Sequence, residues 1–239
     1  MQSNFNRNEK KYIISKEQCI EFQKLFSQYM KPDQFGENLV QNLYFDTENW
    51  DVIRTSIEKP LYKEKLRLRC YDMPNKESTV FLELKKKFKG IVYKRRIALP
   101  FRELSYRSVQ DLAAEESSQI SQELCFYIKR NSVFEKVYIS FKRTAFTGRE
   151  QKDLRVTFDS DIRFRLEKLD FFNPDYGTFL LPKNTIVMEI KAGGGMPLWM
   201  AHTLCEHKVF PVSFSKYGKC YTGFIIKQPE FKNKETLSA

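Results

Sequence analysis

Lysine, arginine and glutamate recur at every second residue in several stretches of this chain. Lys63, Lys65, Arg67 and Arg69 alternate with Leu66, Leu68 and Cys70, and Glu83, Lys85 and Lys87 with Val80, Leu82 and Leu84. Arg155, Thr157 and Asp159 alternate with Leu154, Val156 and Phe158, and Glu189 and Lys191 with Ile186, Met188 and Ile190. Arg7, Glu9 and Lys11 share a face ahead of Tyr12 and Ile14. Side chains alternate with period two in a strand, so in each stretch the charges lie on one face. One such face is an ordinary solvated surface. Five are harder to explain, because strands disfavour Lys and Glu. Charged rows set directly opposite one another also repel unless a polyanion or a metal lies between them.

Phosphoryl transfer needs this mixture: cations around the transferring group and a divalent ion held by carboxylates. Arg67, Arg69, Arg143 and Arg155 can grip phosphate oxygens with a planar fork. Lys11, Lys85, Lys94, Lys191 and Lys216 supply point charges, and Arg96 shares a face with Lys94. Glu9, Glu83 and Glu189 would supply hard oxygen ligands for Mg²⁺ or Mn²⁺. A surface built only for nucleic acid has no use for glutamates spaced among its cations.

Positioning these residues calls for strands whose charged faces point inward and whose apolar faces are covered outside by helices, an inverted antiparallel barrel in an α+β fold. Val92–Leu99 is ambiguous, since Lys94 and Arg96 point one way and Arg95 the other. Three helices are predicted. One starts at Ser15 with Gln18 completing a capping box. A second spans Ser117 to Arg130, with Ile120, Leu124, Tyr127 and Ile128 at helical spacing. A third runs from Pro197 to Lys208, with proline near its first position. Asn173–Gly177 reads as a turn. A single domain over residues 1–227 is expected, followed by a polar tail over 228–239 that frays.

Composition agrees with an anionic partner. The 239 residues carry 41 Lys plus Arg against 30 acids, a formal charge of +11, and such a surplus attracts nucleic acid, anionic membrane or phosphate-rich small molecules. With 21 Phe and 12 Tyr the chain is globular. No apolar run approaches the ~18 residues of a membrane span. Met1–Lys10 has no apolar signal-peptide region, and the five scattered cysteines read as free thiols. A cytoplasmic protein is therefore expected.

At these same residues the sequence resembles the catalytic domain of the vacuolar-transporter-chaperone (VTC) polyphosphate polymerases, within the triphosphate tunnel metalloenzyme, or CYTH-like, superfamily. The similarity runs through Glu9–Tyr12, Leu43–Thr47, Lys65–Tyr71, Leu82–Lys85, Lys94–Arg96, Arg143–Phe146, Leu154–Asp159, Met188–Lys191 and Ser213–Tyr217. The resemblance implies an antiparallel β-barrel tunnel of about eight strands with flanking helices. It also implies that Lys11, Arg67, Arg69, Lys85, Arg143, Arg155, Ser215 and Lys216 bind phosphates, with Lys85, Arg143 and Lys216 the catalytic cations, and that Glu189 holds the metal. The implied reaction moves the γ-phosphate of ATP onto a polyphosphate chain. Arg7 stands where tunnel enzymes often place a first glutamate, which leaves fewer carboxylates and suits the polymerase branch.

A tunnel triphosphatase acting on inorganic or nucleoside triphosphate, and a non-enzymatic module binding polyphosphate or RNA, are the alternatives. No RNA-binding motif is present, so no specific nucleic acid is expected. Asp46 reads as a strand-end residue or as a support for the site. Arg163 and Arg165 read as a surface pair or as a tunnel-mouth pair. Gly193–Gly195 reads as a strand-to-helix connection, His202 and His207 as ordinary helix residues, and Trp50 and Trp199 as packing groups.

Overall fold

The computed structural model describes residues 8–89 and 91–228. Arg7, and the expected tail beyond Gln228, lie outside the described residues. In chain order the elements are β1 (Asn8–Ser15), α1 (Lys16–Phe26), β2 (Met30–Asp46), α2 (Asp51–Ile57), β3 (Tyr62–Tyr71), β4 (Thr79–Phe88) and β5 (Ile91–Pro100). Then follow α3 (Val109–Glu115), α4 (Gln119–Asn131), β6 (Phe134–Gly148), β7 (Arg155–Arg165), β8 (Thr178–Phe179), β9 (Thr185–Ala192), α5 (Leu198–Glu206) and α6 (Lys216–Gly223). The strands form one sheet in the order β1-β9-β7-β6-β2-β3-β4-β5, with β8 paired to β7. The pairings whose register is defined are antiparallel, so the α+β antiparallel fold read from the sequence is present. The described strands number nine, against an expected eight or so. They follow a path that begins at β1 and ends at β5, and the outer edge of β1 is bonded by an isolated bridge between Lys11 and Val212.

The chain divides into two compact units, each assembled from three stretches. Unit 1 takes residues 1–39, 141–162 and 181–214, and unit 2 takes 40–140, 163–180 and 215–239. Each has its own apolar core. In unit 1, Phe22 and Phe26 of α1 pack with Val156, Phe158, Met188 and Ile190 of β7 and β9. In unit 2, Leu66, Leu68, Leu82 and Leu84 of β3 and β4 pack with Leu124, Tyr127 and Ile128 of α4. These are the apolar halves of the alternating stretches, so burying them commits the charged halves to the opposite face.

Local signals account for the predicted helices. Ser15 accepts from the Gln18 amide while the Gln18 side chain accepts from the Ser15 amide. Ser118 caps α4, and Pro197 stands immediately before α5. The ambiguity in β5 resolves into two faces: Lys94 and Arg96 reach Glu83, while Arg95 and Lys86 meet Glu123 of α4 on the other side. Helix α6 was not anticipated, because two of its eight residues are glycines, which weaken helices. Its cap explains one of them: a Cβ on Gly218 would lie 3.3 Å from the Cβ of Ser215, whose hydroxyl accepts from the Gly218 amide.

Leu66 is fully buried on the covered face of β3. Replacing it with alanine is expected to cost about 2–5 kcal/mol. Alanine at the exposed Ile20 of α1 should stay within roughly 0.5 kcal/mol. Urea unfolding of the two variants checks the assignment of faces.

Candidate functional site

The cation-rich face of unit 2 is built by register. One rung runs Tyr44, Arg67, Glu83, Arg96 across β2, β3, β4 and β5; a neighbouring rung sets Lys65, Lys85 and Lys94 side by side. Glu83, 1% exposed, is the focus. Its Oε2 lies 2.9 Å from Nε and 2.7 Å from Nη2 of Arg67, and 3.9 Å from Nε of Arg69. Its Oε1 lies 2.6 Å from Nζ of Lys94 and 2.8 Å from Nε of Arg96. Burial pushes the carboxyl upward, but Arg67, then Arg69 and Lys94, hold it down at about 2. Against burial, Tyr44 and Glu83 raise Arg67, but two other cations gain less. Arg69 is lowered by burial and by Arg67, and Lys94 by burial and by Arg96 and Arg67, despite the shared anion.

Phenols and one amide aim the guanidinium groups. Arg67 Nη1 donates to the Tyr44 hydroxyl at 3.3 Å, and Arg69 Nε to Asn42 Oδ1 at 2.9 Å. Arg69 and Arg96 both donate to the Tyr71 hydroxyl, at 3.4 and 3.3 Å. Tyr44 is buried and Tyr71 exposed, and at both the neighbouring arginines make the ionised form easier to reach than in a free tyrosine.

Ser215 and Lys216 are fixed by a buried carboxylate. Asp46 accepts from the amides of Thr47 and Val52 through Oδ1, and from Ile53 N and the Tyr217 hydroxyl (2.7 Å) through Oδ2. It thereby holds the start of α2 and the first turn of α6 together. Tyr217 stacks on Tyr44 with centroids 4.9 Å apart, and Lys65 Nζ donates to the Ser215 hydroxyl at 3.1 Å. Asp46 is thus a supporting group as well as a strand end.

Unit 1 presents a different charge pattern. Register pairs Glu9 with Lys191 and Lys11 with Glu189, a checkerboard in which each lysine touches both glutamates. Lys11 Nζ lies 3.0 Å from Glu9 and 3.8 Å from Glu189. Lys191 Nζ lies 2.6 Å from Glu189 and 3.7 Å from Glu9. Burial and Glu9 push the Glu189 carboxyl up, but Lys191 and Lys11 bring it below its ordinary value. Thr157 of β7 stands opposite Glu189 in register, and its buried hydroxyl has no hydrogen-bond partner among the described residues. Arg143 grips Asp159 with two bonds, of 2.6 and 2.7 Å. Arg155 reaches Asp33 at 3.0 Å, and Lys11 also donates to Phe214 O at 3.3 Å.

The structure therefore brings Arg67, Arg69, Glu83, Lys94 and Arg96 together in unit 2, and Glu9, Lys11, Glu189 and Lys191 together in unit 1. The three expected metal carboxylates do not form one cluster. No three of His, Cys, Asp and Glu gather as a metal site among the described residues, and both oxygens of Glu83 are engaged by cations. Arg165 is neither a surface nor a tunnel-mouth group: it is buried over the Tyr138 ring and donates to the carbonyls of Lys168, Asp170, Asn173 and Tyr176. Arg163 stacks on Phe179. Sequence reasoning missed Asp159, Tyr44, Tyr71 and Asn42 as partners. Asp159 was visible as the third charged-face position of its strand, whereas the phenols and the amide carry no charge and gave no signal.

The model of the VTC domain matches residues 6–225. No curated protein matches the chain in sequence. Among solved structures the chain is similar to a Hippeastrum protein, HpAC1, described as a putative adenylyl cyclase with a dominant triphosphatase activity. The identity is 14%, the TM-score 0.50, and the match covers 90% of this chain and 95% of that one. Weaker likenesses are to PH1819 of Pyrococcus horikoshii OT3, at 14% identity and TM-score 0.39 over 84% of this chain and 86% of that chain, and to a chain of the Schizosaccharomyces pombe Mediator head module, at 10% identity and TM-score 0.46 over 91% and 95%.

Because the Glu83 carboxyl is depressed from about 4.5 to about 2 by folding, its contribution to stability is complete above pH 4.5 and is lost as pH falls toward 2. The shift corresponds to something on the order of 3 kcal/mol. Urea midpoints measured between pH 5.5 and 2.5 should fall less steeply for Glu83→Gln than for the unaltered protein.

Proposed function

This chain belongs to the VTC-domain family, and we propose that it is a phosphotransferase that moves the γ-phosphate of ATP onto a polyphosphate chain with the help of Mn²⁺ or Mg²⁺. The observation that carries this reading is the surplus of cations around Glu83. Four cations meet one carboxylate, an arrangement suited to a ligand that brings several negative charges. Arg67, Arg69, Lys94 and Arg96 bind phosphate oxygens, with Lys65, Lys85, Ser215 and Lys216 extending that face. Lys11, Arg143, Arg155 and Lys191 supply the cations of unit 1. Lys85 and Lys216 in unit 2, and Arg143 in unit 1, are the cations suited to offset charge that develops on a transferring group. No general base is required, because the terminal oxygen of a polyphosphate is already anionic.

Glu189 and Glu9 suit a single hard divalent ion. Two carboxylates on adjacent strands are a common protein share for Mg²⁺ or Mn²⁺, with phosphate and water completing the shell, and the unpartnered Thr157 hydroxyl beside Glu189 can accept or donate to such a water. When bound, the ion polarises phosphate oxygens and neutralises their charge. Lys11 and Lys191 hold the two carboxylates ready.

A triphosphatase is the second reading. It draws on HpAC1, described as having a dominant triphosphatase activity, and it would use the same cations and carboxylates to direct water onto a triphosphate. A binding module without turnover is disfavoured by the paired glutamates of unit 1. The five free thiols suit a reducing cytoplasm, and no helix among the described residues is long and apolar enough to cross a membrane.

Incubation with ATP and Mn²⁺ or Mg²⁺ distinguishes the readings. A ladder of polyphosphate with ADP, abolished in Glu189→Gln, is expected; orthophosphate without a ladder would move the assignment to the triphosphatase. Arg67→Ala should lower kcat/KM by about 10²–10³ in either enzyme, and unchanged activity would remove the phosphate-binding role given to this face.

A further inference from the structure

We infer that Glu83 is a resident counter-ion, a positioning residue that keeps Arg67, Arg69, Lys94 and Arg96 aligned until phosphate arrives, and that it does not bind the metal. The inference rests on the phosphate-binding reading of this face.

Three observations lead to it. First, the carboxylate has no free side. Oε2 faces Arg67 and Arg69 on β3, and Oε1 faces Lys94 and Arg96 on β5. A metal could reach it only by expelling a cation. Second, the count does not balance: four cations surround one anion, a surplus of three. In unit 1, by contrast, two glutamates face two lysines. The structure thus separates a balanced carboxylate pair, which can exchange its lysines for a divalent ion, from an overstocked cation set, which can only gain from further negative charge. Third, four further guanidinium N–H groups rest on neutral acceptors. Tyr44, Tyr71 and Asn42 oxygens take them at 2.9–3.4 Å. Neutral acceptors can be replaced by phosphate oxygens at little cost, since charge-assisted bonds are the stronger ones.

The arrangement explains why the anion sits on the middle strand. Register places Glu83 between Arg67 and Arg96 in a single rung. Without it, arginines on β3 and β5 and Lys94 would repel across a buried strand. Oε1 of Glu83 and Nε of Arg96 lie 2.8 Å apart without a directed hydrogen bond, so that contact is held by charge rather than by geometry. Such a contact leaves the guanidinium free to turn toward an incoming oxygen.

The consequence is counter-intuitive for an acidic residue in a metal-dependent enzyme. Removing the charge at Glu83 should destabilise the free protein, because the cations lose their shared anion. It should also make added polyanion more stabilising, because the phosphate then replaces a missing charge instead of supplementing one that is present. Metal affinity should not change.

The test uses Glu83→Gln and inorganic tripolyphosphate, read by thermal unfolding in metal-free buffer, with Mn²⁺ binding followed separately by electron paramagnetic resonance of the free ion. Expected are a lower Tm without ligand, a tripolyphosphate-induced rise in Tm about twice that of the unaltered protein, and Mn²⁺ affinity within about twofold of it. Loss of Mn²⁺ affinity by about tenfold or more, or a rise in Tm no larger than in the unaltered protein, would overturn the assignment. If Glu83→Gln does not fold, Glu83→Gln with Arg96→Gln removes one cation together with the anion; recovery of folding is expected, and its absence would count against a charge-balance role. If tripolyphosphate fails to stabilise the unaltered protein, the phosphate reading itself falls. The counter-ion role is then decided by whether the double variant regains the Tm lost in the single one.

Discussion

Like charges on a sheet face repel, and this fold is arranged around that constraint. Its strands carry cations at alternate positions, and neighbouring strands bring those positions level. The sheet is tenable because carboxylates are set among the crowded cations. Glu83 lies within the Arg67–Arg96 rung, Asp159 takes the Arg143 fork, Asp33 meets Arg155, and Glu9 and Glu189 interleave with Lys11 and Lys191. Glu83 and Glu189 are buried, and the cations around them hold both carboxyls below their ordinary value. The apolar faces behind these rows, packed under α1 in unit 1 and α4 in unit 2, keep the strands from turning their charges outward.

The two units handle the constraint differently, and the difference separates two kinds of chemistry. Where glutamate and lysine alternate one for one, the face is near neutral and its carboxylates sit next to one another, an arrangement suited to a small hard cation. Where one glutamate serves four cations, the face remains strongly positive and suits an extended anion. Both patterns come from the same strand periodicity, and only the placement of a few glutamates differs.

Much of this was legible from the sequence, for a physical reason. Period-two alternation is a local property, so the strands from Lys63, Thr79, Leu154 and Ile186 and their charged faces could be read directly. So could the Ser15 capping box, whose partners are three residues apart. Register is not local. Nothing in the sequence says that Glu83 stands level with Arg67 and Arg96 and not with Lys65 and Lys94, and this is why its ring of four cations gave no signal beforehand. Arg165 was misread for a related reason. Its partners are backbone carbonyls of the loop from Lys168 to Tyr176, and a carbonyl leaves no mark on residue identity. The long strand β2 was invisible because its first half, from Met30 to Leu39, is largely exposed and does not alternate.

The contact between Asp46 and Tyr217 spans 171 residues of sequence. Asp46 is fully buried, and burial raises its carboxyl above the ordinary range even with four donors in place. During synthesis the strand that ends in Asp46 and the helix that it caps emerge well before the phenol that completes its shell. Until then the carboxylate must keep water beside it, so this corner of unit 2 cannot close over a dry interior. Unit 1 has a parallel dependence, because β1 pairs with β9 and bonds Val212 on its outer edge. Each unit thus sets a strand against a partner that the ribosome delivers much later, and neither core excludes solvent until the two have met.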